Sequence, residues 1–176
     1  MSAPRTFDIL ETPLEGTNLI EASAGTGKTY ALAGLFLRLI LERQLPVGAI
    51  LCVTYTVAAT EELRDRIRRQ IRAAVAAFSR GGHDDAFLDA MARRTEDCEA
   101  AIRLLRSALR DFDEAAIHTI HGFCQRVLRE HTFESAGLFE TEMVPDERPL
   151  RREIVCDFWR QRLYGAAPEF AAHALH

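Results

Sequence analysis

EASAGTGKT, from Glu21 to Thr29, is the stretch on which the reading of this chain turns. Just ahead of it, Asn18 to Ile20 reads as a short buried strand, and behind it Tyr30 to Leu41 has the length and apolar content of a helix. Strand, glycine loop and helix in that order make a phosphate-binding loop, here Ala22, Ser23, Ala24, Gly25, Thr26, Gly27, Lys28 and Thr29, with Ala22 in place of the usual first glycine. Gly25 and Gly27 allow the backbone to turn its N–H groups onto the β- and γ-phosphates of a nucleotide. The helix that follows adds the positive end of its dipole. Lys28 reads as a point charge on the β/γ oxygens and Thr29 as the hydroxyl ligand of Mg²⁺. These two are the candidate catalytic residues, and ATP and Mg²⁺ are the cofactors implied. Lys28 is also the only lysine among 22 basic residues, so a chain that otherwise uses arginine keeps a compact ammonium at this one position.

Composition sets broad limits. The chain has 176 residues, 48% hydrophobic and 27% charged, which suffices for one domain, or one and part of another, with a sizeable core. A formal net charge of −4 argues against a general basic coat for nucleic acid and leaves room for a local patch. Cys52, Cys98, Cys124 and Cys156 are widely spaced with no paired CxxC element, so they are expected to be reduced and mostly buried, as in a cytoplasmic protein. No run is long and apolar enough for a signal peptide or a membrane span, since Arg38, Glu42 and Arg43 interrupt the longest one.

Along the chain, Pro13 and Gly16 punctuate an irregular start, and Pro46 and Gly48 stop the first helix near Gln44. Ala49 to Thr54 (AILCVT) then reads as a second, fully apolar strand, which would complete a parallel βαβ unit with Asn18–Ile20. Residues 58–80 read as a helix with Leu63, Ile67, Ile71 and Val75 as its buried stripe. Arg64, Arg68 and Arg72 beside it read as a solvated face partly paired with Glu61, Glu62 and Asp65. Two amphipathic helices, 84–94 and 96–110, follow as a helical excursion whose role is packing. Ala115 to Thr119 returns to a β-like run, 120–131 to a helix, and 148–164 to a last helix. His118 and His121 are spaced to share a helical face, but with no third ligand they read as packing or hydrogen-bonding residues.

Three blocks now stand in order: EASAGTGKT at 21–29, VTYTVAATEELRDRI at 53–67 and IHTIHGFCQRVL at 117–128. They resemble motifs I, Ia and Ib of the UvrD/RecB branch of superfamily 1 DNA helicases, with LIEASAGTGKT, TIHGFCQR and FES followed by LFE as the closest phrases. The resemblance spans about Phe7 to Tyr164. It implies an α/β fold, a RecA-like P-loop NTPase with a parallel sheet flanked by helices and a helical insertion. Residues 1–80 would be the first part of the motor domain, 81–112 the helical excursion, 113–131 the return to that domain, and 132–176 the start of a truncated insertion. It further implies an ATP-driven motor on single-stranded and duplex DNA that acts with RecC and RecD subunits in double-strand-break repair and recombination. Thr54 and Thr56 would hydrogen-bond DNA phosphates, Tyr55 would stack on a base, and Thr119, His121 and Phe123 would reach the same strand.

Two departures from the family pattern stand out. Where many relatives carry an adenine-recognising glutamine, this chain has Pro13, Leu14, Glu15 and Gly16, and Glu15 is not assigned that role. Hydrolysis also needs a strand-borne carboxylate pair, and Asp84/Asp85, Asp113/Glu114 and Asp146/Glu147 follow no apolar β run, so they read as caps or surface. The second motor domain and a nuclease domain are likewise missing from this stretch, so the chain reads as the amino-terminal piece of a longer protein, hydrolytically incomplete by itself. A complete small P-loop kinase, or a partner-binding module with a vestigial loop, remain as alternatives.

Overall fold

The computed structural model describes residues 6–23, 25–131, 146–165, 170 and 173. Ala24 of the loop and the FES–LFE stretch at 133–140 lie outside the described residues. The chain divides into two compact units, 1–130 and 131–176.

The first unit is built on five helices and a small sheet: α1 Lys28–Arg43, β1 Cys52–Thr54, α2 Val57–Arg80, α3 Ala86–Arg94, α4 Cys98–Arg110, β2 Ile117–Thr119 and α5 Ile120–Glu130. Local signals end most of these helices where sequence reasoning expects. Gln44 closes α1 in the left-handed region, its N–H donating to Leu39 O, and Gly81 does the same for α2. The side chains of Thr56, Asp85 and Asp97 accept the N–H of Ala59, Leu88 and Ala100 at 3.1, 3.0 and 2.8 Å, starting α2, α3 and α4. Asp85 is therefore a cap, and Asp146 is tied to Arg148 at the surface.

α2 is the spine. Its stripe of Leu63, Ile67 and Ile71 is 0–3% exposed, and Val75 continues it half-buried. The helix packs against α1, α3, α4 and both strands, so the excursion is part of the core, with Phe87, Leu88, Leu105 and Ala108 all buried. Of the flanking arginines, Arg72 is exposed as expected, while Arg64 and Arg68 are engaged differently. Arg64 donates to Ile117 O at 3.0 Å, and Arg68 pairs with Asp113 at 2.7 Å while lying over the Phe112 ring.

The sheet departs from the expected one. β1 and β2 pair in parallel, Cys52 with Ile117, Val53 with His118 and Thr54 with Thr119. The connection runs through α2, α3 and α4. Asn18–Ile20 forms no strand, and Leu19 is 86% exposed. An extended segment becomes a strand only when a neighbour supplies its ladder, and none of the described residues does so for this one. The expected strand at 49–54 shrinks to three residues because Val47–Ala49 takes a 3-10 turn, and Val53, far from buried, is 43% exposed. The cysteines also differ from expectation: all are free, but Cys52 and Cys98 are only half-buried, and Cys124 and Cys156 are exposed.

In the second unit, α6 spans Arg148–Leu163 with Pro149 in its first turn. Its Leu150, Ile154, Val155 and Phe158 are all more than half exposed. No helix among the described residues is long and apolar enough to cross a membrane.

The spine dominates stability, so Ile67→Ala should cost about 2–5 kcal/mol in denaturant unfolding, whereas exposed Val57→Ala should stay within about 0.5 kcal/mol. Equal losses at the two positions would show that α2 does not carry the core.

Candidate functional site

The glycine loop heads α1. Gly25 and Gly27 have φ of 78° and 82°, a left-handed conformation costly for any residue with a Cβ, and Gly27 is the residue from which the helix starts. The loop folds onto one carbonyl: Ser23 O accepts the Thr26 N–H at 3.4 Å, the Thr26 hydroxyl at 2.7 Å and the Lys28 ammonium at 2.5 Å. Lys28 Nζ also donates to Ala22 O at 3.1 Å. The side chain thus arches over its own loop and stays exposed, away from the apolar core. Thr29, in the first turn of α1, is half-buried, and its hydroxyl makes no hydrogen bond among the described residues.

Beside the loop is a cavity of ≈ 860 Å³, lined on the loop side by Ser23, Thr26, Gly27 and Lys28 and elsewhere by Phe7, Asp8, Ile9, Tyr30 and Leu35. That volume suits a mononucleotide-sized ligand. Glu15 takes no part in lining it and is ion-paired with Arg43. The loop 13–18 is held by Asn18 Nδ2, which donates to Pro13 O and Glu15 O at 3.0 and 3.1 Å.

Tyr30, in the first turn of α1, donates its hydroxyl to Asp85, 2.9 Å from both carboxylate oxygens. Its ring meets Phe87 edge-on at 6.4 Å. Burial, and then the adjacent Asp85 carboxylate, push the phenol up to about 12. The helix that begins at the loop is in this way fastened to the start of α3. Sequence reasoning missed this contact, because a tyrosine and an aspartate so far apart in the chain carry no local signal.

The second cluster lies at the carboxyl ends of the strands. Thr54 and Thr119 are partners in the parallel ladder, so the two strand tips adjoin. Each is followed by a helix capped by a threonine: Thr56 at α2, and Thr119 at α5, where its Oγ1 accepts the Gly122 N–H at 3.0 Å. As acceptors, both hydroxyls keep their own hydrogen for a further bond. Thr54 is different. Its hydroxyl lies 2.6 Å from the Thr60 hydroxyl and donates to Thr56 O at 3.1 Å, so it braces the tip from inside. Tyr55 projects from the tip at 87% exposure, His121 is exposed and Phe123 half-buried on α5.

His118 and His121 do not share a helical face. His118 sits on β2, where its Nε2 accepts from Arg126 at 3.4 Å, and burial together with the charges of Arg126 and Arg64 lowers its pKa. No cluster of metal-ligating side chains occurs among the described residues.

A glycine loop with two left-handed glycines at the head of a helix, together with parallel strands whose ends feed capped helices, defines an α/β fold of the P-loop type. The family is shown by comparison with known proteins: residues 4–163 match the UvrD/REP helicase N-terminal domain, and the chain belongs to that family. It is 45% identical over 174 residues to the RecBCD enzyme subunit RecB of Escherichia coli (strain K12), covering 94% of this chain and 15% of that protein. It is 41% identical to RecB of Haemophilus influenzae over 86% of this chain and 14% of that one. To RecB of Mycolicibacterium smegmatis it is 44% identical over 88% of this chain and 14% of that one. The chain thus spans about 15% of the length of the curated relatives it matches.

The Tyr30 contact has a pH signature. A phenol whose pKa is raised in the folded state stabilises that state below its ordinary value of 10.0 and loses this contribution as pH rises from there to about 12. The difference in tyrosinate absorbance between wild type and Tyr30→Phe should therefore titrate near 12, and the extra stability of wild type over Tyr30→Phe should shrink across that window. A difference titrating near 10.0 would show that the Asp85 contact does not form.

Proposed function

We propose that this chain is the ATP- and single-stranded-DNA-binding part of a RecB-like ATP-dependent DNA helicase subunit. The observation that carries the reading is the Lys28 ammonium, poised on the loop carbonyls at the edge of a nucleotide-sized cavity at the start of α1. Phosphate oxygens of ATP would draw Lys28 from Ser23 O and Ala22 O. The loop N–H groups and the dipole of α1 would share the remaining charge. Among the loop residues proposed to cradle phosphate, Ala22, Ser23, Gly25, Thr26 and Gly27 act through their backbone, as would Ala24.

Mg²⁺ fits the donor set. A hard cation that binds through one or two protein oxygens plus phosphate needs only such a hydroxyl as that of Thr29, which has no competing partner among the described residues. When bound, the ion would neutralise charge on the phosphates. Thr29 would hold it and Lys28 would orient the phosphates beside it.

On the DNA side, the exposed Tyr55 offers a ring to any base, and Thr56 and Thr119 offer hydroxyl donors beside two helix N-termini. Thr54 acts by holding the tip, and His121 and Phe123 extend the surface along α5. None of these groups reads base edges, which suits movement along any sequence. In the longer protein, unwinding of duplex DNA, exonuclease action, partnership with RecC and RecD, and a cytoplasmic role in double-strand-break repair and recombination complete the proposal. This chain by itself binds without turning over, because its described acidic pairs are caps or surface groups and none ends a strand.

Calorimetry with Mg·ATP tests the nucleotide half. The chain should bind, Lys28→Ala should remove most of that binding, and turnover should stay at background with or without single-stranded DNA. Binding unaffected by Lys28→Ala, or rapid turnover by residues 1–176, would defeat the reading. For the DNA half, Tyr55→Ala should weaken single-stranded DNA binding by about 1–3 kcal/mol at fixed salt. An unchanged affinity would leave Tyr55 without that role.

A further inference from the structure

The most unusual side chain near the cavity is one that does not line it. Arg38 lies on the buried face of α1 at 6% exposure, among Phe36, Leu37 and Ile40. A guanidinium in such a place is costly unless its donors are matched. Here they are. Nε and NH2 donate to the two oxygens of Glu42 at 2.6 and 2.9 Å, and NH1 donates to the carbonyls of Ile9 and Thr12 at 2.8 and 2.7 Å.

Those two carbonyls belong to a tight turn organised by Asp8. Its side chain accepts the Leu10 N–H at 2.7 Å, and its carbonyl accepts the N–H and hydroxyl of Thr12 at 2.9 and 2.6 Å. The turn also has a notch on the helix. At Gly34, one turn before Arg38, an added Cβ would come within 2.2 Å of Ile9 Cδ1. Phe7, Asp8 and Ile9, the residues so seated, line the same cavity as Ser23, Thr26 and Lys28.

One rigid helix therefore carries the phosphate loop at its head and, further along, the fork and notch that hold the cavity's other wall. We infer that Arg38 is a positioning residue for the nucleotide pocket: by gripping the 8–12 turn it fixes the wall that meets the part of the nucleotide beyond its phosphates. This rests on the nucleotide reading of the cavity. A lysine cannot replace the fork, since one ammonium cannot serve two carbonyls and both carboxylate oxygens together.

The test compares Mg·ATP with Mg·tripolyphosphate, which has the phosphates and nothing beyond them, by competition against a fluorescent ATP analogue on the whole chain at a temperature where each variant is folded. Arg38→Gln should weaken ATP on the order of tenfold and leave tripolyphosphate within about twofold. Arg38→Lys should fall between that variant and wild type. Arg38→Lys, which keeps the charge but not the fork, decides the matter if Arg38→Gln does not fold. Unchanged ATP affinity, or parallel losses for both ligands, would overturn the positioning role while leaving the nucleotide site standing. ATP binding that Lys28→Ala does not alter would instead overturn the nucleotide reading itself.

Discussion

Parallel pairing of β1 with β2 is the constraint on which the candidate DNA surface depends. Two parallel strands leave a sheet through the same edge, so matching Thr54 to Thr119 brings together two chain exits separated by the whole of α2, α3 and α4. An antiparallel pair would have sent them to opposite edges. Three-residue strands make too short a ladder to hold this register unaided, and α2 supplies the rest: it packs on both strands, and its Arg64 ties down the carbonyl of Ile117. The long helix and its helical excursion are in this sense the means by which two distant peptide segments share one surface.

The cavity beside the loop depends on α1 in a comparable way. Its head is the loop, its first turn is fastened by Tyr30 to the cap of α3, and its buried face seats the 8–12 turn. Packing against α2 and α4 holds the helix itself. Glu11, on the outer side of the turn, adds an exposed ion pair with Arg94 of α3, which contributes little beside the buried fork. Both walls of the cavity thus refer to one rigid body, and a small displacement of either would change the distance between them.

The helices were legible because their information is local. Leu63, Ile67 and Ile71 repeat at helical spacing, and Thr56, Asp85, Asp97 and Gly81 are terminators that act within a few residues. The strands were less so. Whether Asn18–Ile20 pairs is decided by what lies beside it in space, and its apolar pair of residues says nothing about that; Leu19 is left exposed. The turn of the loop was legible, since Gly25 and Gly27 stand where the backbone takes a left-handed φ. The fork of Arg38 was not, because its main-chain partners have no side-chain identity to betray them. A signal did exist in the charge at the centre of LFLRLIL with a glutamate four residues on, an arrangement that an exposed helix face would not need.

Why the loop keeps the chain's one lysine follows from how that side chain is held. Ser23 O accepts from Lys28 Nζ, Thr26 N and Thr26 Oγ1, three donors on an oxygen with two lone pairs. The ammonium is therefore held by a crowded acceptor and by Ala22 O, both neutral, while it stays exposed. A polyanion offers stronger, charge-assisted bonds to the same nitrogen, so exchange of carbonyl for phosphate is favourable without a large desolvation cost. An arginine here would carry a planar fork suited to paired oxygens such as those Glu42 presents to Arg38, and its five fixed donors could not follow phosphate oxygens by rotating about a single bond. A compact charge on a flexible stem can leave one set of oxygens for another, which is what the proposed binding and release of nucleotide requires.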